Sequence, residues 1–256
     1  MAAVGRGVLF DRHDHRRIRR PVDPAVTTLG SAPSSSYSWR ILRHPFLTDR
    51  TLRKYGIRRY LICDLNLPTG RVLACDPVTS VGYVKPLAQT VPPGRYPVFG
   101  YEALVKAPDH YKTALIELWL NDAPNESWRL ALQEGQAAET DIFDASYGVD
   151  AAAACFCDAT AQPFLVYAEE NYDPDGDDDV NLLEVAFGCG RGEEHRFPNS
   201  ELNMAVFTTG DGDGTYPCFW NYDDAGCPSR LVTSFGILEQ RYDWGEDYPE
   251  PFLRYD

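Results

Sequence analysis

Between Asn203 and Phe235 the chain reads NMAVFTTGDGDGTYPCFWNYDDAGCPSRLVTSF, two apolar strand-like runs flanking a loop in which Gly and Asp alternate. Gly supplies the positive φ that a tight turn needs, and Asp hydrogen-bonds its own backbone, so the pattern fixes a turn between extended segments. The same loop gathers several carboxylates at one point of the chain. It matches no catalytic signature.

The rest of the sequence repeats this rhythm of short β-prone runs and turn residues. RRYLICDL and RVLACDPV are split by Asn66-Leu67-Pro68-Thr69-Gly70, which predicts a hairpin. VPPGRYPVFGYEALV places a turn at Pro93-Gly94 before a strand, and Lys112 to Leu120 supplies its neighbour. ACFCDA, PFLVYAEE, LLEVAFG, MAVFTTG, TYPCFWNYD and RLVTSFGIL follow at spacings typical of antiparallel sheets. Short helices are expected at Leu52 to Arg59 and at Glu126 to Gln133, the second with Asn125 as N-cap and Gly135 just past its end. Neither an internal repeat nor a βαβ rhythm is visible. The predicted fold is mainly β (a β-rich α+β chain): an antiparallel sandwich or distorted barrel with one or two peripheral short helices.

With 256 residues, 44% of them hydrophobic, the chain can bury a sizeable core. Residues 1–38, with SAPSSSYS and no clear period, read as a basic arm and linker; residues 39–256 read as a single β-rich domain with an acidic C-terminal tail. The net charge of −14 is unevenly spread: residues 1–60 are +9 and the remainder −23. Arg12, Arg16, Arg17, Arg19 and Arg20 suit a polyanion, yet the acidic body repels a phosphate backbone, so docking of the arm on acidic protein surface is favoured over nucleic-acid binding. No apolar run is long enough to span a bilayer and the N-terminus has no secretory signature, so the expectation is a soluble cytoplasmic protein without membrane contact. Seven cysteines, an odd number with no CxxC pair, read as reduced and mostly buried thiols.

Five segments in order carry a family resemblance: DLNLPTGRVLACDP (Asp64 to Pro77), PPGRYPV (Pro92 to Val98), WRLALQEGQ (Trp128 to Gln136), YGVDAAAACFCD (Tyr147 to Asp158), and TTGDGDGTYPCFWNYD followed by LVTSFGIL. Over roughly residues 60–238 the chain resembles the family catalogued as domain-of-unknown-function 4241. Ala151 to Ala154 and Asp211 depart from the family pattern, whereas Asp150, Asp158 and Asp213 match it. The resemblance implies a fold and candidate positions, and no reaction.

Asp150, Asp158 and Asp213, together with Tyr216, are the candidate catalytic groups. If the run Ala152 to Cys157 lies near the Thr208 to Tyr216 loop, these side chains meet in one cleft, as paired carboxylates do in acid–base or metal-assisted chemistry. Asp211, Trp220 and Tyr222 are candidate ligand contacts. Against this stands the plainer reading that Asp-Gly pairs make tight turns and that alternating aromatics fill a core. Asp173, Asp175, Asp177, Asp179, Asn181 and Glu184 fall at the ligand positions of a calcium loop, but its central glycine is replaced by Asp178 and its flanks read as strands, which favours a solvated acidic loop over calcium.

Two functions stay open. One is a small-molecule enzyme or ligand-binding protein whose carboxylate-lined cleft uses one Asp as acid or base. The other is an acidic, immunity-like interaction module that masks a basic protein. The concentration of Gly and Asp at two loops tilts the reading toward the first.

Overall fold

The computed structural model describes residues 56–79, 81–106, 109–123, 127–171 and 182–238. The basic arm, residues 52–55, Asn125, Glu126, the acidic loop from Asp173 to Asn181 and the tail beyond Leu238 lie outside the described residues.

Among the described residues there are twelve strands: β1 (Ile57–Leu67), β2 (Val72–Cys75), β3 (Gly94–Lys106), β4 (His110–Trp119), β5 (Ser127–Leu130), β6 (Tyr147–Val149), β7 (Ala153–Asp158), β8 (Glu193–Arg196), β9 (Asn203–Thr208), β10 (Gly214–Tyr216), β11 (Cys218–Tyr222) and β12 (Pro228–Ser234). Helices α1 (Ile142–Ala145), α2 (Gln162–Glu170) and α3 (Leu182–Gly188) are short. A six-stranded sheet runs β1-β3-β4-β12-β11-β5, a four-stranded sheet β2-β7-β9-β8, and β10 pairs with β6 in a two-stranded ribbon. Every pairing is antiparallel, and the two larger sheets form an open sandwich.

One core joins the sheets. Leu65, Leu67, Val98, Ile116 and Leu118 of the large sheet cluster with Ala154, Phe156, Ala205 and Phe207 of the smaller one. Phe156 and Phe207 meet edge-to-face at 5.2 Å, a geometry that aromatic quadrupoles favour. Alternation sends the intervening residues to the other side, where Leu73, Cys75, Ala153, Cys155, Cys157, Met204 and Val206 pack with Leu165 of α2 and Leu182 and Ala186 of α3. Both faces of β7 are therefore covered, which explains its unbroken apolar composition. All seven cysteines are free thiols, and Cys227 alone is exposed.

Several local expectations need correction. PFLVYAEE and LLEVAFG are helices, α2 and α3; Pro163 stands in the first turn of α2, where its missing N–H costs nothing. The expected helix at Glu126 to Gln133 is instead edge strand β5, paired with β11 from Phe219↔Leu130 to Tyr222↔Ser127. From Ile57 onward the segment expected to be the first helix is strand. The predicted hairpin at Asn66–Gly70 is a corner between sheets: β1 pairs with β3, and β2 with β7. Gly70 makes that corner possible, because at φ +68° a Cβ would sit 1.8 Å from the Val91 carbonyl oxygen.

Candidate functional site

The β6–β10 ribbon brings the two Gly/Asp loops together. Val149 pairs with Gly214, so Asp150 leaves β6 beside the point where Asp213 enters β10. Next to it Ala153 of β7 pairs with Thr208 of β9, fixing residues 150–152 against the 209–213 turn. The expected approach of these segments is what the register produces.

The turn is closed from within. Thr209 Oγ1 and the Tyr216 hydroxyl both donate to the Gly212 carbonyl, at 2.6 and 2.7 Å. Burial pushes the Tyr216 phenol above its ordinary range, so this hydroxyl stays protonated and acts as a structural donor. Gly210, at φ +69°, lies so close to the chain that a Cβ would come within 2.8 Å of the Thr113 carbonyl oxygen. Lys112 forms an ion pair with Asp211.

Two carboxylates clamp the 150–152 segment. Asp213 Oδ1 accepts the Ala152 N–H at 3.0 Å and holds that alanine at φ +53°, a left-handed conformation that costs an L-residue roughly 1–2 kcal/mol. Asp76, 1% exposed at the end of β2, accepts the N–H groups of Asp150 and Ala151 on Oδ2 (2.9 and 2.8 Å) and those of Val78 and Thr79 on Oδ1 (2.8 and 3.2 Å). The sequence reading missed Asp76. Its one signal was an acid directly after the fully apolar run VLAC.

Asp158 does not join this group. It ends β7, five residues from Ala153 and so about 17 Å along the strand. Fully buried, it accepts the N–H groups of Thr69 and Thr160, both at 3.0 Å, and their hydroxyls at 2.9 and 2.6 Å. The side chain thereby caps the turn Ala159–Ala161 and ties the sheet corner to the end of β7. Trp220 is 1% exposed in the core, and the Tyr222 hydroxyl donates to Gln89 Oε1 at 3.2 Å. Asp150 keeps an exposed side chain with no partner among the described residues.

Glu184, the last of the calcium-loop candidates and the one inside the described residues, lies in the first turn of α3. Both described flanks of that loop are helices where strands were expected. Among the described residues no group of three His, Cys, Asp or Glu side chains is placed to hold a metal ion.

Around the ribbon the surface is acidic. Glu139, Asp141, Asp144, Asp150, Asp211 and Asp213 are exposed, and Phe143 on α1 is 71% exposed among them. The wider chain continues this bias: the 100 residues between Arg129 and Arg230 hold 21 Asp and Glu, against Arg191, Arg196 and His195. Within this stretch lie β7, β8 and β9 of the four-stranded sheet, the ribbon, β11 of the large sheet and the three helices found among the described residues.

The family model described as "Protein of unknown function (DUF4241)" matches residues 65–233, about two thirds of the chain. The chain belongs to the DUF4241 family. The match runs from the last residues of β1 to the penultimate residue of β12, so it takes in the four-stranded sheet, the ribbon and the large sheet apart from most of β1. No curated protein and no solved structure matches this DUF4241 chain. Among its described residues no helix is long and apolar enough to cross a membrane.

Proposed function

We propose that this DUF4241 protein is an acidic docking module that binds a basic protein surface through the edge built on α1 and the β6–β10 ribbon. The observation that carries this reading is the employment of the carboxylates. Asp158, Asp76 and Asp213 hold backbone donors and Asp141 caps α1 by accepting the Asp144 N–H, whereas the side chains of Glu139, Asp144 and Asp150 are exposed near Phe143 without such a task. An apolar anchor ringed by like charges suits recognition of a basic surface with an apolar recess, in which charge steers encounter and the ring supplies buried area.

The test is affinity capture from the protein's own cells at low and at high salt, comparing wild type with Glu139→Lys/Asp144→Lys, which leaves the Asp141 cap of α1 in place. The reading expects a stoichiometric basic protein held at low salt, released at high salt and lost in the double variant. Capture unaffected by salt or by the charge reversal would sink it.

A second reading keeps the small-molecule site at Asp150. Its support is Ala152, since strained non-glycine backbone clusters where binding or catalysis over-determines a conformation. Under this reading Asp150→Asn abolishes turnover or ligand binding without loss of stability; under the docking reading the same variant is tolerated.

A further inference from the structure

Arg230 lies outside the acidic edge and is not accounted for by it. It stands opposite Trp119 and Asn221 in the large sheet, and alternation puts its side chain on the face away from that of Leu118 and Leu231. The side chain is 3% exposed. Nη1 donates to Glu117 Oε1 at 2.8 Å, the Tyr101 hydroxyl donates to Glu117 Oε2 at 2.5 Å, and the guanidinium carbon lies 3.9 Å from the Trp119 ring centroid.

These contacts set the plane of the guanidinium without saturating it. Glu117 divides its oxygens between Arg230 and Tyr101, where a fork-to-fork pair would have engaged two guanidinium nitrogens. Asn221, the cross-strand neighbour, is committed elsewhere: its Oδ1 accepts from Ser229 Oγ at 2.6 Å and its amide donates to the Ser127 carbonyl. Nε and Nη2 are buried with no hydrogen-bond acceptor. Together they form one straight edge of the guanidinium, whose parallel N–H bonds match two oxygens of a carboxylate or phosphate. Buried charged donors without acceptors are rare in native proteins and call for a specific partner.

We propose that the Nε–Nη2 edge of Arg230 is a recognition site for a small-molecule oxyanion, a carboxylate or phosphate group bound side-on. Glu117 and Trp119 are its positioning residues. The site is independent of the docking edge, and either proposal can fail alone. Because both nitrogens are enclosed, entry and release of an anion each require local opening, so the anions are incubated with the protein before denaturation and a ligand acquired in the cell is retained through gentle purification.

The test uses the full chain. Native mass spectrometry after mild purification reads any retained anion. Thermal denaturation at constant ionic strength compares chloride with inorganic phosphate, acetate and citrate. The expected result is a retained anionic mass, or a saturable rise of about 3 °C in Tm with phosphate or with a carboxylate, which also tells the two chemistries apart. Arg230→Lys keeps the charge beside Glu117 but has no planar fork, and should lose the mass or the shift. A crystal grown with the stabilising anion should place it within hydrogen-bond distance of Nε and Nη2, and this decides the matter even if the variant fails to fold. An equal shift in Arg230→Lys, an anion located elsewhere, or neither mass nor shift in the wild type would overturn the proposal.

Discussion

Asp213 holds Ala152 in the left-handed region: its Oδ1 takes the Ala152 N–H at 3.0 Å while that residue keeps φ +53°. The carboxylate is exposed, so Asp213→Ala should cost only about 1–2 kcal/mol. Ala152→Gly removes the steric penalty at the expense of chain entropy and should gain about 0.5 kcal/mol. Urea denaturation of both single variants and the double variant checks this, with the Asp213 effect smaller in the glycine background.

The buried and exposed aspartates should separate sharply. Asp158→Ala strands two backbone N–H groups and two hydroxyls inside the protein and should cost about 3 kcal/mol or more. Asp150→Asn should stay within about 0.5 kcal/mol of wild type. Comparable losses at the two sites would show that Asp150 has a structural role its exposure does not suggest.

Thiol chemistry reads the buried interior directly. In the native state a thiol reagent should titrate one cysteine, Cys227, and reach the other six only on unfolding. Burial pushes Cys218 from its ordinary 9.0 up to about 12. Below about pH 9 both folded and unfolded states hold the proton, so the stabilisation is complete; above it the unfolded chain ionises first, and stability is lost as pH rises toward 12. Cys218→Ala should flatten that alkaline loss in a series of urea midpoints.

At the acid side the sign reverses. Burial holds the His195 imidazole below its ordinary value, with Glu193 opposing the shift. The unfolded chain therefore takes the proton first as pH falls below about 6.5, and stability is lost across the window between that value and the depressed folded one. His195→Gln should lose less stability than wild type between pH 7.5 and 5.5, measured by chemical denaturation.

Sheet strands were legible where a run carries strong β propensity between turn residues, as at Asn203–Thr208 and Pro228–Ser234. Helices were not. Seven or nine residues rich in Phe, Val and Leu give too short a window to separate a helical period from an alternating one, and in α2 the choice is made by the turn capped by Asp158 and by packing against the cysteine-lined sheet. The strand Ser127–Leu130 fails for the opposite reason: helix formers are overridden by hydrogen bonds to β11. Juxtaposition of the Asp150 and Asp213 loops was foreseeable from two Gly/Asp turns. The distant place of Asp158 was not, because nothing local says which end of a strand faces which loop. Glu117 and Arg230 left a faint trace, one charge in each of two otherwise uncharged runs, ALIELW and SRLVTSF.

Strand β7 touches solvent on neither face, and from Cys155 to Cys157 it is paired on both edges, with β2 and with β9. No partial opening of one neighbouring layer frees its amides while the other layers remain, so their deuterium uptake should follow the opening of the whole molecule. The Cys155–Cys157 amides thus serve as an internal clock for global unfolding, readable under fully native conditions without denaturant.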